Sequence, residues 1–423
     1  MTPLSTRRYT KLYEQVLLAR WFSFVCGWLI TVLLPTISYW GLEFWRSTDL
    51  GLWRGMLTAT SCLLIAYFLV SKTINHYPGG QNMGVVLGQV FVIYVIGALV
   101  SLLLRIELSR FLLVTSGLLA LVWFCVDYQI GKRFRRPKMA LIMQGNCAEL
   151  LKYGEVEARP LYEPDLQGVR YDGVVADLAH LSEPWQRFVT HCVLDKIAVY
   201  DSSVVFEAIT GRSRIMRMAE NNLGALLPST SYLVVKGLLE WLVVFLSLPI
   251  TLPIMAITAI AIKLDSPGPV LYKQTRVGQG NKEFLIYKFR SMYCEDNAPA
   301  RFAESEDPRV TRIGAIIRRY RIDELPQFLN ILKGEMSLVG PRPEQPTFAK
   351  HFDDALAFYS YRHVVKPGIT GWAQVRQGYA ADTDDTQFKI EHDFYYIKHA
   401  SVYLDIYILL LTAKTVLTGF GAR

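Results

Sequence analysis

The sequence predicts a membrane protein in three parts: an α-helical bundle at the N-terminus, a small α/β layer, and a mainly helical α/β domain at the C-terminus that carries a further membrane element. Three observations lead there. The 423-residue chain is 52% hydrophobic and only 19% charged, less charge than a water-soluble protein carries. Its apolar residues cluster in four runs within the first third and one run near the middle. Elsewhere the chain is polar, with short β-like runs between helix-compatible stretches. A chain of this length holds two or three domains; the composition shifts place them at residues 1–137, 138–228 and 229–423.

The four runs cover residues 17–40, 52–71, 84–104 and 108–130. Each is close to the ~20 residues that cross a bilayer as a helix. Arg7, Arg8, Lys11 and Arg20 precede the first, and Lys132, Arg133, Arg135, Arg136 and Lys138 follow the fourth. Four crossings return both clusters to one side, and positive charge marks that side as cytoplasmic. The first run is too long for a cleavable signal peptide and lacks a small-residue cleavage site. Cys26, Cys62 and Cys125 lie in apolar stretches, and Cys147, Cys192 and Cys294 are isolated. Neither a disulfide framework nor a zinc site follows.

In the second part, β-like runs fall at 139–143, 173–176 and 196–200, an alternation that suits a small α/β layer. The first run leads into Met143-Gln144-Gly145-Asn146-Cys147, with a single glycine. A dinucleotide site wants G-x-G-x-x-G, so that backbone can approach a pyrophosphate. The expected role is therefore structural or regulatory.

The apolar stretch 232–262 carries Pro249 and Pro253. Two prolines are expected to break or sharply kink a helix. A kinked crossing and a hairpin that enters and returns both fit. Arg212, Arg214, Arg217 and Lys236 before it, and Lys263, Lys273, Arg276 and Lys282 after it, put both flanks on the cytoplasmic side and favour the re-entrant hairpin. Lys236 and Glu240 are one helical turn apart and suited to pairing.

The chemistry concentrates in residues 318–334. Here Asp323 suits a helix N-cap, Pro326 a first turn and Gly334 the C′ position. Asp323 and Glu324 then lie at the positive end of a helix dipole. Cations surround the pair in sequence: Arg309, Arg312, Arg318, Arg319 and Arg321 upstream, Arg342 downstream in Gly-Pro-Arg-Pro, and Lys288 and Arg290 in residues 287–292. Two carboxylates among so many cations, beside a membrane element, fit a diphosphate site with a divalent cation. Arginine binds oxyanions bidentately, and Mg²⁺ takes few carboxylates together with substrate phosphates. The formal charge of +8 then reflects anionic lipid or phosphorylated substrate.

Five ordered stretches (263–270, 287–292, 323–327, 334–343 and 366–375) resemble the polyprenyl-phosphate glycosyl-1-phosphate transferases, the bacterial sugar transferases. The four N-terminal helices and a degenerate Rossmann-like domain resemble the large members that start polysaccharide assembly. The resemblance implies a monotopic phosphoglycosyl transferase domain whose re-entrant helix breaks at Pro253. It implies that Asp323 attacks the β-phosphate of a UDP-sugar and releases UMP, that undecaprenyl phosphate takes the sugar phosphate from Asp323, that Glu324 binds Mg²⁺, and that Arg318 and Arg342 hold phosphate oxygens. Lys288 and Arg290 belong to the same expected phosphate set. The resemblance leans toward UDP-glucose or UDP-galactose and admits a homodimer. Glu240 departs from the family's commoner Asp, and Leu252 from the Ser that usually precedes the proline.

Other readings fit less well. A many-helix transferase needs more spans than are present, and a catalytically silent scaffold would not keep Asp323, Glu324, Lys288, Arg318 and Arg342. Nucleic-acid binding needs a reader fold that is absent here. Asp382, Asp384 and Asp385 read as solvated caps and His363 as a structural histidine. Asp393, Tyr395 and Tyr396 match a family stretch, although packing accounts for the tyrosines equally well.

Overall fold

A computed structural model describes residues 19–76, 83–134, 138–153, 157–169, 171–214, 227–293, 309–356, 358–376 and 383–418. Arg7, Arg8, Lys11, Arg135, Arg136, Arg217, Cys294 and Asp382 lie outside the described residues, as do the side chains of Arg20, Lys132, Arg133, Asp384 and Asp385. The chain forms two compact units, divided between Gly211 and Arg212.

In the first unit, α1 (Arg20–Trp28) passes through a π-helical turn (Leu29–Leu33) into α2 (Leu34–Trp40). Pro35 accounts for the widened turn, since it lacks an N–H and its ring crowds the carbonyl one turn back. Helices α3 (Leu50–His76), α4 (Met83–Leu103) and α5 (Arg110–Phe134) follow. Each of the four expected runs contains a helical stretch long and apolar enough to cross a membrane. Leu63, Ala66, Val90, Ala120 and Phe124 meet in the bundle core, while Leu57, Phe68, Leu102, Leu118 and Val122 stay exposed, as lipid-facing side chains do. Several of the bundle's polar groups satisfy one another: Ser23 donates to Asp127 at 2.6 Å, and the Trp123 indole N–H to the Tyr67 hydroxyl at 2.6 Å. Hydrocarbon offers no other partner.

The same unit contains a parallel sheet of β1 (Lys138–Ile142), β2 (Glu157–Leu161), β3 (Gly173–Ala176) and β4 (Ala198–Asp201), in the order β2-β1-β3-β4. Helices α6 (Glu183–Leu194) and α7 (Ser202–Thr210) accompany it. Strand β2 was not apparent from Glu-Ala-Arg-Pro-Leu; an edge strand tolerates the charge and the proline. The chain leaves β1 and β3 toward opposite edges, so the crevice at their carboxyl ends is the place for a ligand in such a sheet. Here the Asp177 carboxylate fills it, accepting from the Asn146 N–H at 3.1 Å and lying 3.0 Å from His180 Nδ1. Gly145 has φ +60°, and a Cβ there would sit 2.2 Å from Asp177 Oδ2.

The second unit opens on Arg212–Arg214, whose charges flank Glu391 at 3.6 and 3.4 Å. Helix α8 (Thr230–Asp265) then runs unbroken through Pro249 and Pro253. Of the two expected outcomes, a break and a sharp kink, the break is corrected: the prolines lie inside one continuous helical run. Placed four residues apart, they remove two donors from one side of it, and the remaining backbone bonds are retained because lipid would leave them unpaired. Ser247 and Thr251 hydroxyls donate back to the Val244 and Ser247 carbonyls at 2.7 and 3.0 Å, contacts that bend helices. Next come the antiparallel hairpin β5 (Leu271–Val277) and β6 (Glu283–Phe289), α9 (Arg312–Arg319), a 3₁₀ turn (Ile322–Gln327) and α10 (Phe328–Leu332). Strand β7 (Ser337–Val339) pairs in parallel with β8 (Gly368–Thr370). Helices α11 (Pro346–Ala355), α12 (Trp372–Arg376), α13 (Thr383–Lys398) and α14 (Val402–Thr418) complete the unit.

Both ends of α8 dock on this unit. Near its start, Lys236 is buried and donates to the Val339 carbonyl at 2.8 Å, Tyr396 at 2.7 Å and Asp405 at 3.1 Å, with Glu240 3.6 Å away. Glu240 accepts from the Ser337 hydroxyl and from the Leu338 N–H. At the far end, Ile262 packs on Phe289 and Ile317, and Asp265 accepts from the Ile313 N–H at 3.2 Å. Lys236→Met leaves Asp405 and Glu240 buried without their cation. The expected cost is about 3 kcal/mol, read as a lower unfolding temperature in lipid nanodiscs. Adding Asp405→Asn should recover part of it, and an unchanged transition in the single variant would show that the pair does not anchor the helix.

Candidate active site

The turn that carries Asp323 and Glu324 differs from the expected N-cap. Tyr320 ends α9, and Arg321 enters the left-handed region at φ 54° and caps the 3₁₀ turn. Asp323 therefore lies inside the turn. Pro326 favours the tighter spiral because it cannot donate to the carbonyl four residues back. Gly334 does sit just past the end of α10 at φ 77°, with its N–H on the Ile331 carbonyl at 2.9 Å. With so short a helix behind the pair, side-chain cations rather than a helix dipole set the local field.

Those cations converge on Glu324, which is 6% exposed. Its Oε1 accepts from Arg342 at 2.9 Å and from Lys288 at 3.3 Å, and Arg321 is 3.7 Å from Oε2. Burial pushes the Glu324 carboxyl up, but Arg342 and Lys288 outweigh it and hold it below its ordinary value. Asp323 goes the other way. Burial and the Glu324 charge raise its carboxyl to about 6, against the pull of Lys288, Arg342 and Arg318. Two adjacent carboxyls are thus driven apart, a pattern of sites with divided roles.

Arg342 is placed by two strands that touch backbone to backbone. The Gly340 N–H donates to the Thr370 carbonyl at 2.8 Å and the Gly368 N–H to the Pro341 carbonyl at 2.9 Å. A Cβ on Gly340 would lie 2.4 Å from the Lys366 carbonyl oxygen, so only glycine permits this approach. Arg362, 2% exposed, braces the loop from behind. It donates to the Arg342 carbonyl at 3.0 Å and to Asp393 at 2.7 and 3.1 Å. Burial would raise the nearby Glu344 carboxyl, yet Lys389 and Arg362 hold it down to about 2. His363 hydrogen-bonds Asn281 through Nδ1, and burial aided by the Arg362 charge pushes it down to about 4, as suits a structural histidine.

Beside Glu324 a small cleft of about 10 Å³ is lined by Arg276, Ile286, Lys288, Gln327, Arg342, Pro343 and Gly368. Arg318 donates to the Ser291 hydroxyl at 3.0 Å and reaches Asp323 through its charge. Arg290 is corrected. It is 5% exposed and clamps the residues after α8, donating to the Pro267 carbonyl at 2.8 Å and the Ser266 carbonyl at 2.7 Å. Strand β6 ends at Phe289, so residue 290 escapes the alternation that would set it beside Lys288 and turns to the chain after α8 instead. Arg276 and Gln327 were given no role from sequence. Signals for both existed: in the hairpin register Arg276 is on the same face as Lys288, and Gln327 follows Glu324 by one 3₁₀ turn.

No group of three or more His, Cys, Asp or Glu side chains suited to a metal occurs among the described residues. The donor set nevertheless fits one hard cation completed by substrate oxygens. Glu324 Oε2 is buried and accepts no hydrogen bond, with the Arg321 guanidinium 3.7 Å away, so it is the oxygen that would meet such an ion.

Residues 231–419 match the bacterial sugar transferase family model. Over 99% of this chain and 99% of the relative, the sequence is 47% identical to the UDP-N-acetylgalactosamine-undecaprenyl-phosphate N-acetylgalactosaminephosphotransferase of Aeromonas hydrophila. It is 41% identical over 191 residues (44% of this chain, 39% of the relative) to the UDP-glucose:undecaprenyl-phosphate glucose-1-phosphate transferase of Xanthomonas campestris pv. campestris. The enzyme of the same description from Escherichia coli strain K12 is 44% identical over 164 residues (38% of this chain, 35% of the relative). With the cation-held carboxylate pair inside the matched region, the chain belongs to the bacterial sugar transferases, the polyprenyl-phosphate glycosyl-1-phosphate transferases.

Proposed function

We propose that this enzyme takes a sugar 1-phosphate from a UDP-sugar, holds it on Asp323 and passes it to undecaprenyl phosphate, the opening step of exopolysaccharide, capsule or O-antigen assembly. One observation carries the reading: Asp323 adjoins a buried Glu324 gripped by Lys288 and Arg342, in a cation-lined cleft on the unit that anchors α8. The Asp323 carboxylate attacks the β-phosphorus, the bond to the bridging oxygen breaks, and UMP leaves with that electron pair. A phosphate oxygen of the lipid then attacks the same phosphorus and displaces the carboxylate, forming polyprenyl diphosphate sugar. Carboxylates serve as such nucleophiles, with ping-pong kinetics as the signature. Lys288, Arg318 and Arg342 hold the phosphate oxygens and offset the charge that spreads over them. Glu324 would hold Mg²⁺, which supplies further charge neutralisation.

The relative matched along the whole chain is named for N-acetylgalactosamine, whereas the glucose-named relatives match 44% of the chain or less. UDP-N-acetylgalactosamine is therefore the proposed donor, in place of the glucose or galactose first favoured. The proposed location is the bacterial inner membrane, with the site on the cytoplasmic face. A straight 36-residue helix would be about 54 Å long. Docking of both ends of α8 on one unit, and its many exposed apolar side chains, support a re-entrant path bent near Pro249 and Pro253.

Purified protein with undecaprenyl phosphate and Mg²⁺ should release UMP from UDP-N-acetylgalactosamine, and Asp323→Asn should abolish the release while leaving the protein folded. Turnover by that variant would exclude the covalent route, and release from another UDP-sugar alone would reassign the donor. The nucleophile must be ionised, so the rate should rise with pH through about 6 and fall about tenfold per unit below it; a flat profile between pH 5 and 8 would contradict the assignment of Asp323. Replacing Pro249 and Pro253 by leucine should move one flank of α8 to the opposite side of the membrane in accessibility labelling. If both flanks stay cytoplasmic, the prolines do not set the topology.

A further inference from the structure

Gln327 has no place in the reaction as drawn, yet its surroundings assign it one. It lies four residues after Asp323 and three after Glu324, at the last position of the 3₁₀ turn. Side chains three apart eclipse in such a turn, so Gln327 and Glu324 share one face of it. The residue lines the cleft with Arg276, Lys288 and Arg342 and is 2% exposed. Its Nε2 is buried and has no acceptor. A buried amide donor without an acceptor is costly and uncommon in folded proteins. The neighbouring cations are committed differently. Lys288 and Arg342 are drawn onto Glu324, and Arg276 donates to Gln274 at 2.7 Å and to the Pro343 carbonyl at 3.1 Å. An amide N–H set among three positive charges is arranged for the same guest that they attract.

We propose that Gln327 is a substrate-binding residue whose amide donates to a phosphate oxygen, supplied either by the sugar nucleotide or by the lipid phosphate. This rests on reading the cleft as the phosphate seat. The amide is neutral, so it adds direction without adding charge. It fixes the orientation of a phosphate that the cations alone would attract from any angle.

The test uses the full chain in lipid nanodiscs and Gln327→Met, which keeps the length and removes the amide. Without ligand, the variant should unfold at the same temperature as wild type or higher, because an unpaired buried polar group has been replaced by an apolar one. The stabilisation that UDP gives wild type should shrink, and one Michaelis constant should rise about tenfold, as loss of one hydrogen bond to a charged group predicts. A higher KM for the UDP-sugar with a smaller UDP shift assigns the contact to the nucleotide. A higher KM for undecaprenyl phosphate with an intact UDP shift assigns it to the lipid. Gln327→Glu, polar and of the same size, is the second variant and should weaken the same constant further through charge repulsion. Unchanged constants with an intact UDP shift would overturn the proposal, whatever the stability of the variants. Should wild type release no UMP, the thermal shifts given by UDP and by undecaprenyl phosphate, measured separately, decide the Gln327 assignment apart from the reaction: a smaller shift with either supports it, and two intact shifts overturn it.

Discussion

A single buried negative charge organises the catalytic unit. The Glu324 carboxylate draws in Lys288 from β6, Arg321 from the turn itself and Arg342 from the loop after β7. Three cations crowded together without it would repel one another, and Glu324 without them would be a charge stranded away from water. Each side thus requires the other, and segments far apart in sequence have to arrive together. The neighbouring Asp323 receives only part of that positive field and is left more basic. The division of labour between the two carboxyls follows from which of them the cations grip.

Much of this was legible in the sequence, for identifiable reasons. The membrane runs announced themselves by length and apolarity, and Gly334 by the need for a left-handed residue after a short helix. The i, i+4 spacing of Lys236 and Glu240 signalled a pair, and they lie 3.6 Å apart. The errors came where local rules met tertiary demands. Asp323 looked like an N-cap, but Arg321 and Pro326 impose a 3₁₀ turn that takes it inside. Arg290 sits two residues from Lys288 and groups with it by charge, but β6 ends at Phe289 and Arg290 turns to the Ser266 and Pro267 carbonyls instead. The brace of Arg362, Asp393 and Glu344 was invisible because its members are separated by up to 49 residues and meet only through packing.

The apolar helix α8 and Arg342 share a support. Glu240, on α8, holds both the Ser337 hydroxyl and the Leu338 N–H of β7, and the chain reaches Arg342 four residues further on. Lys236 fixes the same strand through the Val339 carbonyl. An apolar helix long enough to cross a membrane and the loop that carries Arg342 are therefore positioned by neighbouring atoms of one short strand. That arrangement suits the proposed transfer, whose two substrates come from different phases.

The Asp177 carboxylate at the mouth of the parallel sheet limits what that crevice can hold. Adding glycines after β1 would not by itself admit a nucleotide there, because the pocket supplies its own anion. Phosphate would meet a like charge already bonded to the Asn146 N–H it needs. A charge supplied by the chain itself thus closes this crevice to anionic ligands.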